Sequence, residues 1–260
     1  MVDFERANLK AMTTRIFHIS DIHFGVEDRG ALLSVERAIA AEQPDALICT
    51  GDITQRAKHS EYAAAADWFA SLGVPVLLEP GNHDMPYYSP IERFTDPYRR
   101  FRRLERKVAG PFESEDVVLV SLKTTVRAQK RFPWSDGVVT DAALAQTLDE
   151  LASLRGDPRH IIVTGHHPLL GPKGAEGNPT IGGGKAFEAL AAAGADAMLS
   201  GHVHVAFDEL REFGKQRAQL IGAGTLSTRL RHGAPPSYRV ITADIGGAIT
   251  SELRELTPTL

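Results

Sequence analysis

Short apolar runs, each ending on polar residues and followed by a stretch of helical period, set the rhythm of the chain. Arg15-Ile16-Phe17-His18-Ile19 ends at Ser20-Asp21, as a buried strand would, and Gly30 to Glu42 follows with Leu32, Val35 and Ile39 on one helical face. Ala46-Leu47-Ile48-Cys49 ends at Thr50-Gly51-Asp52, and Glu61 to Leu72 repeats the helical spacing through Tyr62, Ala65, Phe69 and Leu72. Val74 to Leu78 is the third run and ends at Pro80-Gly81-Asn82-His83. Three strand–loop–helix units in succession predict a parallel sheet with polar loops gathered at its carboxyl edge, where open α/β sheets bind ligands.

The pattern continues with predicted strands at 117–122, 160–164 and 197–199 and predicted helices at 141–154 and 185–193. A single helix is expected over 90–108, carrying Arg99, Arg100, Arg102, Arg103, Arg106 and Lys107. Such a charge run reads first as a solvated helix face and second as an anion-steering one. Residues 171–184 read as a Gly- and Pro-rich loop, either a rim beside a site or a surface linker. Gly182-Gly183-Gly184-Lys185 is not a phosphate loop, because the spacing is wrong and Ala186 stands where Ser or Thr is required. Residues 218–221, 237–243 and 248–253 predict a β-rich terminal part, the last two as a hairpin through Gly246-Gly247. With no linker and no internal repeat, 15–260 is expected to be one domain. Residues 1–14, with Asp3, Glu5, Arg6 and Lys10 and little apolar order, are expected to be a disordered extension, with Met12 as an alternative start.

Composition narrows this picture only a little. A net charge of -4 over 260 residues weighs against a nucleic-acid partner, which a basic excess usually advertises. Cys49 is the only cysteine, so no intrachain disulfide or Cys-rich zinc site can form, which fits a reducing compartment. No apolar run reaches the ~20 residues of a membrane span and the N-terminus lacks a signal-peptide pattern. A cytoplasmic location is the expectation.

The candidate chemistry lies at the strand ends. Asp21, His23, Asp52, Asn82, His166, His202 and His204 supply the oxygen and nitrogen donors that two divalent ions ~3.5–4 Å apart require, including a carboxylate able to bridge them. Such a pair suits phosphate-ester hydrolysis, which needs positive charge and an ionised water together. Two divalent ions offset by two carboxylates and a hydroxide leave one net positive charge, which matches a monoanionic diester. The mixture of imidazole, amide and carboxylate favours Mn, Fe, Co or Zn over Mg. Taken singly, each residue has a plainer role: Asp21 an N-cap, Asn82 a turn former, a lone histidine a structural one. Five motifs in chain order, each at a strand end, are what single out a metal site.

Those motifs, Asp21-x-His23, Gly51-Asp52, Gly81-Asn82-His83-Asp84, Gly165-His166-His167-Pro168 and Gly201-His202-x-His204, together resemble the calcineurin-like metallophosphoesterase superfamily over residues 15–204. In form they are most similar to bacterial class III cyclic nucleotide phosphodiesterases. The resemblance implies an α/β fold, a four-layer αββα sandwich of two mixed sheets. It implies that Asp21, His23, Asp52 and His204 hold one ion and Asp52, Asn82, His166 and His202 the other, with Asp52 as the bridge. His83 matches the histidine that stabilises the transition state and protonates the leaving oxygen, with Asp84 orienting its ring. His167 is left facing either outward or into the surroundings of the metals.

Departures narrow the subfamily. Gln55 stands where purple acid phosphatases carry a metal-binding tyrosine, and Gln55-Arg56-Ala57 lacks the Asp-Arg-Gly of Ser/Thr protein phosphatases. Lipid A pathway pyrophosphohydrolases carry arginine in place of His83, and repair nucleases of this type are longer. The expectation is therefore a dinuclear phosphodiesterase for a small soluble diester, a cyclic nucleotide or a glycerophosphodiester, cleaved by a metal-bridging hydroxide. The alternatives are a nuclease, a nucleotide or lipid pyrophosphohydrolase, and a catalytically silent metal-binding scaffold. Relatives of this kind often pair, so a homodimer is a further expectation.

Overall fold

Strands that are apolar on both sides need cover on both faces, and the chain meets that need with two sheets packed against each other. The computed structural model describes residues 13–129, 134–174 and 180–257. In the first sheet β1 (Thr14–Ile19), β2 (Ala46–Cys49) and β3 (Val76–Leu78) run parallel. In the second, β4 (Val117–Ser121), β6 (His160–Thr164) and β8 (Ala197–Ser200) run parallel, joined by β10 (Gln216–Gly222) and, antiparallel at the edge, β9 (Phe207–Phe213). The chain then returns to the first sheet, where β11 (Ser237–Ala243) pairs antiparallel with β1 and β12 (Thr250–Glu255) with β11. A short ribbon of β5 (Gly137–Val138) and β7 (Thr180–Ile181) stands apart.

Alternate residues of each strand face different layers. Ile16, Ile48, Val117, Ile162, Leu199 and Ile241 fill the space between the sheets. Phe17, Leu47 and Cys49 face the other way, onto α1 (Arg29–Glu42), α2 (His59–Ser71) and α4 (Arg99–Val108) through Val35, Phe69 and Phe101. Val120 and Val163 likewise meet α5 (Asp141–Ser153) and α6 (Gly183–Ala192) through Leu144, Phe187 and Leu190. The result is the expected αββα order of layers. Among the described residues no helix is long and apolar enough to cross a membrane.

Three local expectations change. The helix over 90–108 is two, α3 (Pro90–Thr95) and α4, because Pro97 has no N–H to donate and forces Asp96 out of helical geometry, to φ -144° and ψ 76°. Four of the six cations of its basic run are ion-paired, Arg99 and Arg100 to Glu92, Arg102 to Asp96 and Lys107 to Asp67, and Arg103 and Arg106 are exposed, as on a solvated face. The edge strand β9 was not anticipated, since its alternating charges, Asp208, Glu209, Arg211 and Glu212, conceal the apolar period; charges of this kind also protect an exposed edge. Residues 1–12 of the expected extension and 175–179 of the loop at 171–184 lie outside the described residues. Thr14, placed in that extension, belongs to β1, where its N–H and hydroxyl both donate to Asp116 Oδ2.

One buried acid ties the sheets together at the β3–β4 side. The Glu79 carboxyl accepts from the hydroxyls of Ser121 (2.9 Å) and Thr164 (2.6 Å), both in the second sheet, and no cation pairs with it among the described residues. Burial pushes its pKa from 4.5 up to about 7. Because the folded value is the higher one, the stabilisation by the neutral acid is fully present below pH 4.5 and is lost as pH rises through about 7. Glu79→Gln keeps one acceptor oxygen, reverses the other contact so that its amide donates to that hydroxyl, and removes the titration. Its stability relative to the parent should therefore rise by roughly 3 kcal/mol between pH 4 and pH 8 in urea unfolding with chelator present. An equal difference at both pH values would contradict this account.

Candidate metal centre

The strands deliver their final residues to one edge of the sandwich. Asp21 and His23 follow β1, Asp52 follows β2, Asn82 and His83 follow β3, His166 follows β6, and His202 and His204 follow β8. The turns are tight. Asp21, His23, Asp52, His202 and His204 sit at φ of 54°, 52°, 50°, 70° and 62°, a left-handed backbone that persists for non-glycine residues only where the surrounding fold over-determines it. Close approach also requires glycine. A Cβ on Gly51 would stand 2.6 Å from His166 Nδ1, and one on Gly81 would overlap the backbone nitrogen and carboxylate of Asp52. Bonds across the seam hold the two sheets in register here: His166 Nδ1–H donates to the Thr50 carbonyl (2.8 Å) and the His202 N–H to Asp21 Oδ2 (2.8 Å).

The donor atoms converge. Nε2 of His23 and of His204 are 3.1 Å apart, and His204 Nε2 lies 3.1 Å from Asp21 Oδ1. That oxygen is buried with no hydrogen-bond partner among the described residues. The Asp52 carboxylate lies between two groups of residues, with Oδ2 3.7 Å from His23 Nε2 and Oδ1 3.4 Å from His166 Nε2; Asn82 Oδ1 is 3.2 Å from the same His166 nitrogen. Carbonyls occupy the far ring nitrogens of His166 and of His204, whose Nδ1–H donates to Arg229 O (2.7 Å). A carbonyl only accepts, so each Nδ1 carries a proton and each Nε2 faces the centre, the orientation from which an imidazole ligates a metal once any proton on Nε2 has left. Two groups, Asp21/His23/His204 and Asp21/Asp52/His166, each hold their donor atoms within 4.8 Å of one another, as do His166/His167/His202 and His23/Asp52/His83. Buried lone pairs and carboxylate oxygens aimed at one another need a cation among them, and this set fits divalent metal ions.

Electrostatics point the same way. Burial pushes Asp21 and Asp52 up, yet His204 beside the one and His166 beside the other outweigh it and hold both carboxyls well below their ordinary range. Burial lowers His166, but Asp52 overrides it and lifts the imidazole to about 9. His202, penalised by burial and by the positive His166, falls to about 3. A cation settling against His166 therefore displaces a proton.

His83 is fixed from two sides. Its N–H donates to Asp52 Oδ1 (2.8 Å), its Nδ1–H to the Gln55 carbonyl (2.7 Å), and its ring stands edge-on to His23 at 4.8 Å. The expected Asp84–His83 pairing is not made. Residues Asn82–Asp84 form one turn of 3₁₀ helix, in which consecutive side chains diverge by ~120°. Asp84 is thereby carried into the loop, where it accepts from the N–H groups of Ile53 (3.2 Å), Thr54 (2.8 Å) and Gly81 (2.9 Å) and from the Thr54 hydroxyl (2.9 Å). Burial and the Asp52 charge raise it to about 6. His167 faces inward: it is buried, with Nε2–H donating to Ser135 O (2.9 Å) and Nδ1 accepting from the Thr124 hydroxyl (2.9 Å).

Arg229, between β10 and β11, was not singled out from the sequence. Its NH1 lies 3.3 Å from Gln55 Oε1 and from His83 Nε2 and 3.3–3.4 Å from both ring nitrogens of His23. No local signal marks it, because the preceding stretch, Gly222-Ala223-Gly224-Thr225-Leu226-Ser227-Thr228, carries no ligand-type side chain and lies beyond the last motif.

Comparison with known proteins agrees with this geometry. The family model for calcineurin-like phosphoesterases matches residues 14–206, and the chain belongs to that family. A probable cyclic nucleotide phosphodiesterase from Pseudoalteromonas sp. (strain SM9913) is 30% identical over 213 residues, covering 77% of this chain and 73% of the relative. A glycerophosphodiester phosphodiesterase from Enterobacter lignolyticus (strain SCF1) is 35% identical over 78 residues, 26% of this chain and 28% of that one. Among solved structures, a purple acid phosphatase from yellow lupin (Lupinus luteus) superposes with a TM-score of 0.66 at 14% identity, covering 95% of this chain and 52% of its own. A dimetal phosphatase from Danio rerio does so at 0.61 and 13%, covering 92% and 98%. At such identities the structural likeness speaks for the fold alone. The family implies divalent metal ions, and the converging residues are the candidate ligands.

The placement of Asp84 makes it a brace of the loop rather than of the histidine ring. Asp84→Asn puts an amide among four donors, so one buried contact becomes donor against donor. It should lower unfolding stability by about 1–3 kcal/mol in denaturant titration. Unchanged stability with altered behaviour of His83 would restore the original pairing.

Proposed function

We propose that the protein is a dinuclear metal-dependent phosphodiesterase acting on a small soluble diester of the cyclic nucleotide or glycerophosphodiester type. The observation that carries this reading is the Asp52 carboxylate, whose two oxygens approach His23 on one side and His166 on the other, with His83 Nε2 at the same centre. Asp21, His23, Asp52 and His204 hold one ion in this reading and Asp52, Asn82, His166 and His202 the other, with Mn, Fe, Co or Zn suited to the imidazole-rich donors better than Mg. When bound, such ions supply positive charge and an ionised water. The chain supplies the rest. The Gln55 carbonyl accepts the Nδ1 proton of His83 whether that ring is neutral or cationic, so a proton taken up at Nε2 can pass to the leaving oxygen.

The names of the Pseudoalteromonas and Enterobacter relatives support a diester over a monoester substrate. The basic helix gives the nuclease alternative little support, since Arg99 and Arg100 pair with Glu92, Arg102 with Asp96 and Lys107 with Asp67, which leaves Arg103 and Arg106. His83 beside a full donor set weighs against a silent scaffold. A single domain over 15–260, a cytoplasmic location and a homodimer are proposed alongside.

Protein loaded separately with Mn, Fe, Co or Zn is expected to cleave bis(p-nitrophenyl) phosphate, and absence of turnover with all four would overturn the reading. His83→Ala should retain its metals while turnover falls ~10²–10⁴-fold for diesters with alkoxide leaving groups, the usual worth of a general acid. With p-nitrophenolate, which departs without a proton, the loss should be smaller. Equal losses for both leaving groups would remove the proton-donor role.

A further inference from the structure

The most exposed electrostatic problem at the candidate centre is Arg229. A guanidinium is charged at any working pH, and this one is half-buried beside residues proposed to hold two divalent ions. None of its partners is a carboxylate: they are the Gln55 side-chain oxygen, the His83 ring, and the His23 ring, whose two nitrogens are nearly equidistant from NH1, so that the group lies over the ring face. Asp52 and Asp21 act on it only through space and are engaged by His166 and His204. A desolvated cation without a counter-charge is costly, and bringing metal ions to the same centre raises that cost further.

The side chain is also unnecessary for the local structure. What supports His204 is the Arg229 backbone carbonyl, which any residue would present. An anion arriving at the centre would resolve the cost. The NH1 group stands between Gln55 and His83 Nε2, where a phosphoryl group must lie if His83 is to reach its leaving oxygen. Guanidinium is also the donor best shaped for the paired oxygens of a phosphate.

We propose that Arg229, braced by Gln55, binds the phosphoryl group of the substrate by donating to an unesterified phosphate oxygen, so that the third cation of the site comes from the protein and not from a metal. The proposal rests on the phosphodiesterase reading and adds a substrate-contacting residue to it. A diester carries its single charge on those two oxygens, and Arg229 recognises that charge before any bond is broken.

The test measures binding as well as rate. Inorganic phosphate is titrated calorimetrically into the metal-loaded parent, Arg229→Ala and Arg229→Lys, with metal content determined on the same samples and KM and kcat measured with bis(p-nitrophenyl) phosphate. The parent's metal content should be unchanged in both variants. Phosphate should bind roughly 10- to 100-fold more weakly to Arg229→Ala, as expected for loss of a charged hydrogen bond, with KM rising in step and Arg229→Lys falling in between. If phosphate affinity stays within twofold of the parent, or if Arg229→Ala loses metal, the proposal is overturned while the phosphodiesterase reading stands. A parent that retains metal but binds no phosphate and turns over no diester would overturn both.

Discussion

Two carboxylates buried within a few ångströms of each other, Asp21 and Asp52, are the constraint around which the rest is arranged. Neither would stay ionised in such a place unaided, and each has an imidazole beside it: His204 at 3.1 Å from Asp21 and His166 at 3.4 Å from Asp52. The histidines in turn come from the second sheet and the carboxylates from the first. The charge cluster is therefore also the joint between the two halves of the sandwich. This explains why the backbone accepts left-handed turns at five of the donor residues, a strain that only an over-determined site sustains.

Much of this was legible in the chain. Strands buried on both faces read as continuous apolar runs, so β1, β2, β3, β6 and β8 stand out, and the donors stand out because each lies within four residues of such a run's end. The order of layers came from the resemblance rather than from periodicity, since nothing in an apolar run tells which of its alternate residues faces a second sheet. What stayed hidden has physical reasons. An edge strand such as β9 needs little apolar surface, so its pattern is faint. The break at Asp96-Pro97 was visible as a proline but was outweighed by the helical character on either side.

The site itself shows the same division. Donor identities follow from residue types at strand ends, whereas what orients each donor is often a backbone carbonyl: Thr50 for His166, Arg229 for His204 and Gln55 for His83. Every residue has a carbonyl, so no sequence pattern announces these. The Asp84 expectation failed for this reason, because a carboxylate next to a histidine in sequence suggests a pair that one 3₁₀ turn pulls apart. Arg229 escaped notice because its role comes from a loop folding back over the centre from beyond the last motif.

The central claim is that the Asp52 carboxylate lies between two metal ions. Anomalous diffraction from crystals of the manganese-loaded protein, collected at the manganese edge, tests it most directly. The account predicts two peaks ~3.5–4 Å apart, one on each side of Asp52, with His23 and His204 against the first and His166 against the second. A single peak, or a second one away from Asp52, would contradict it.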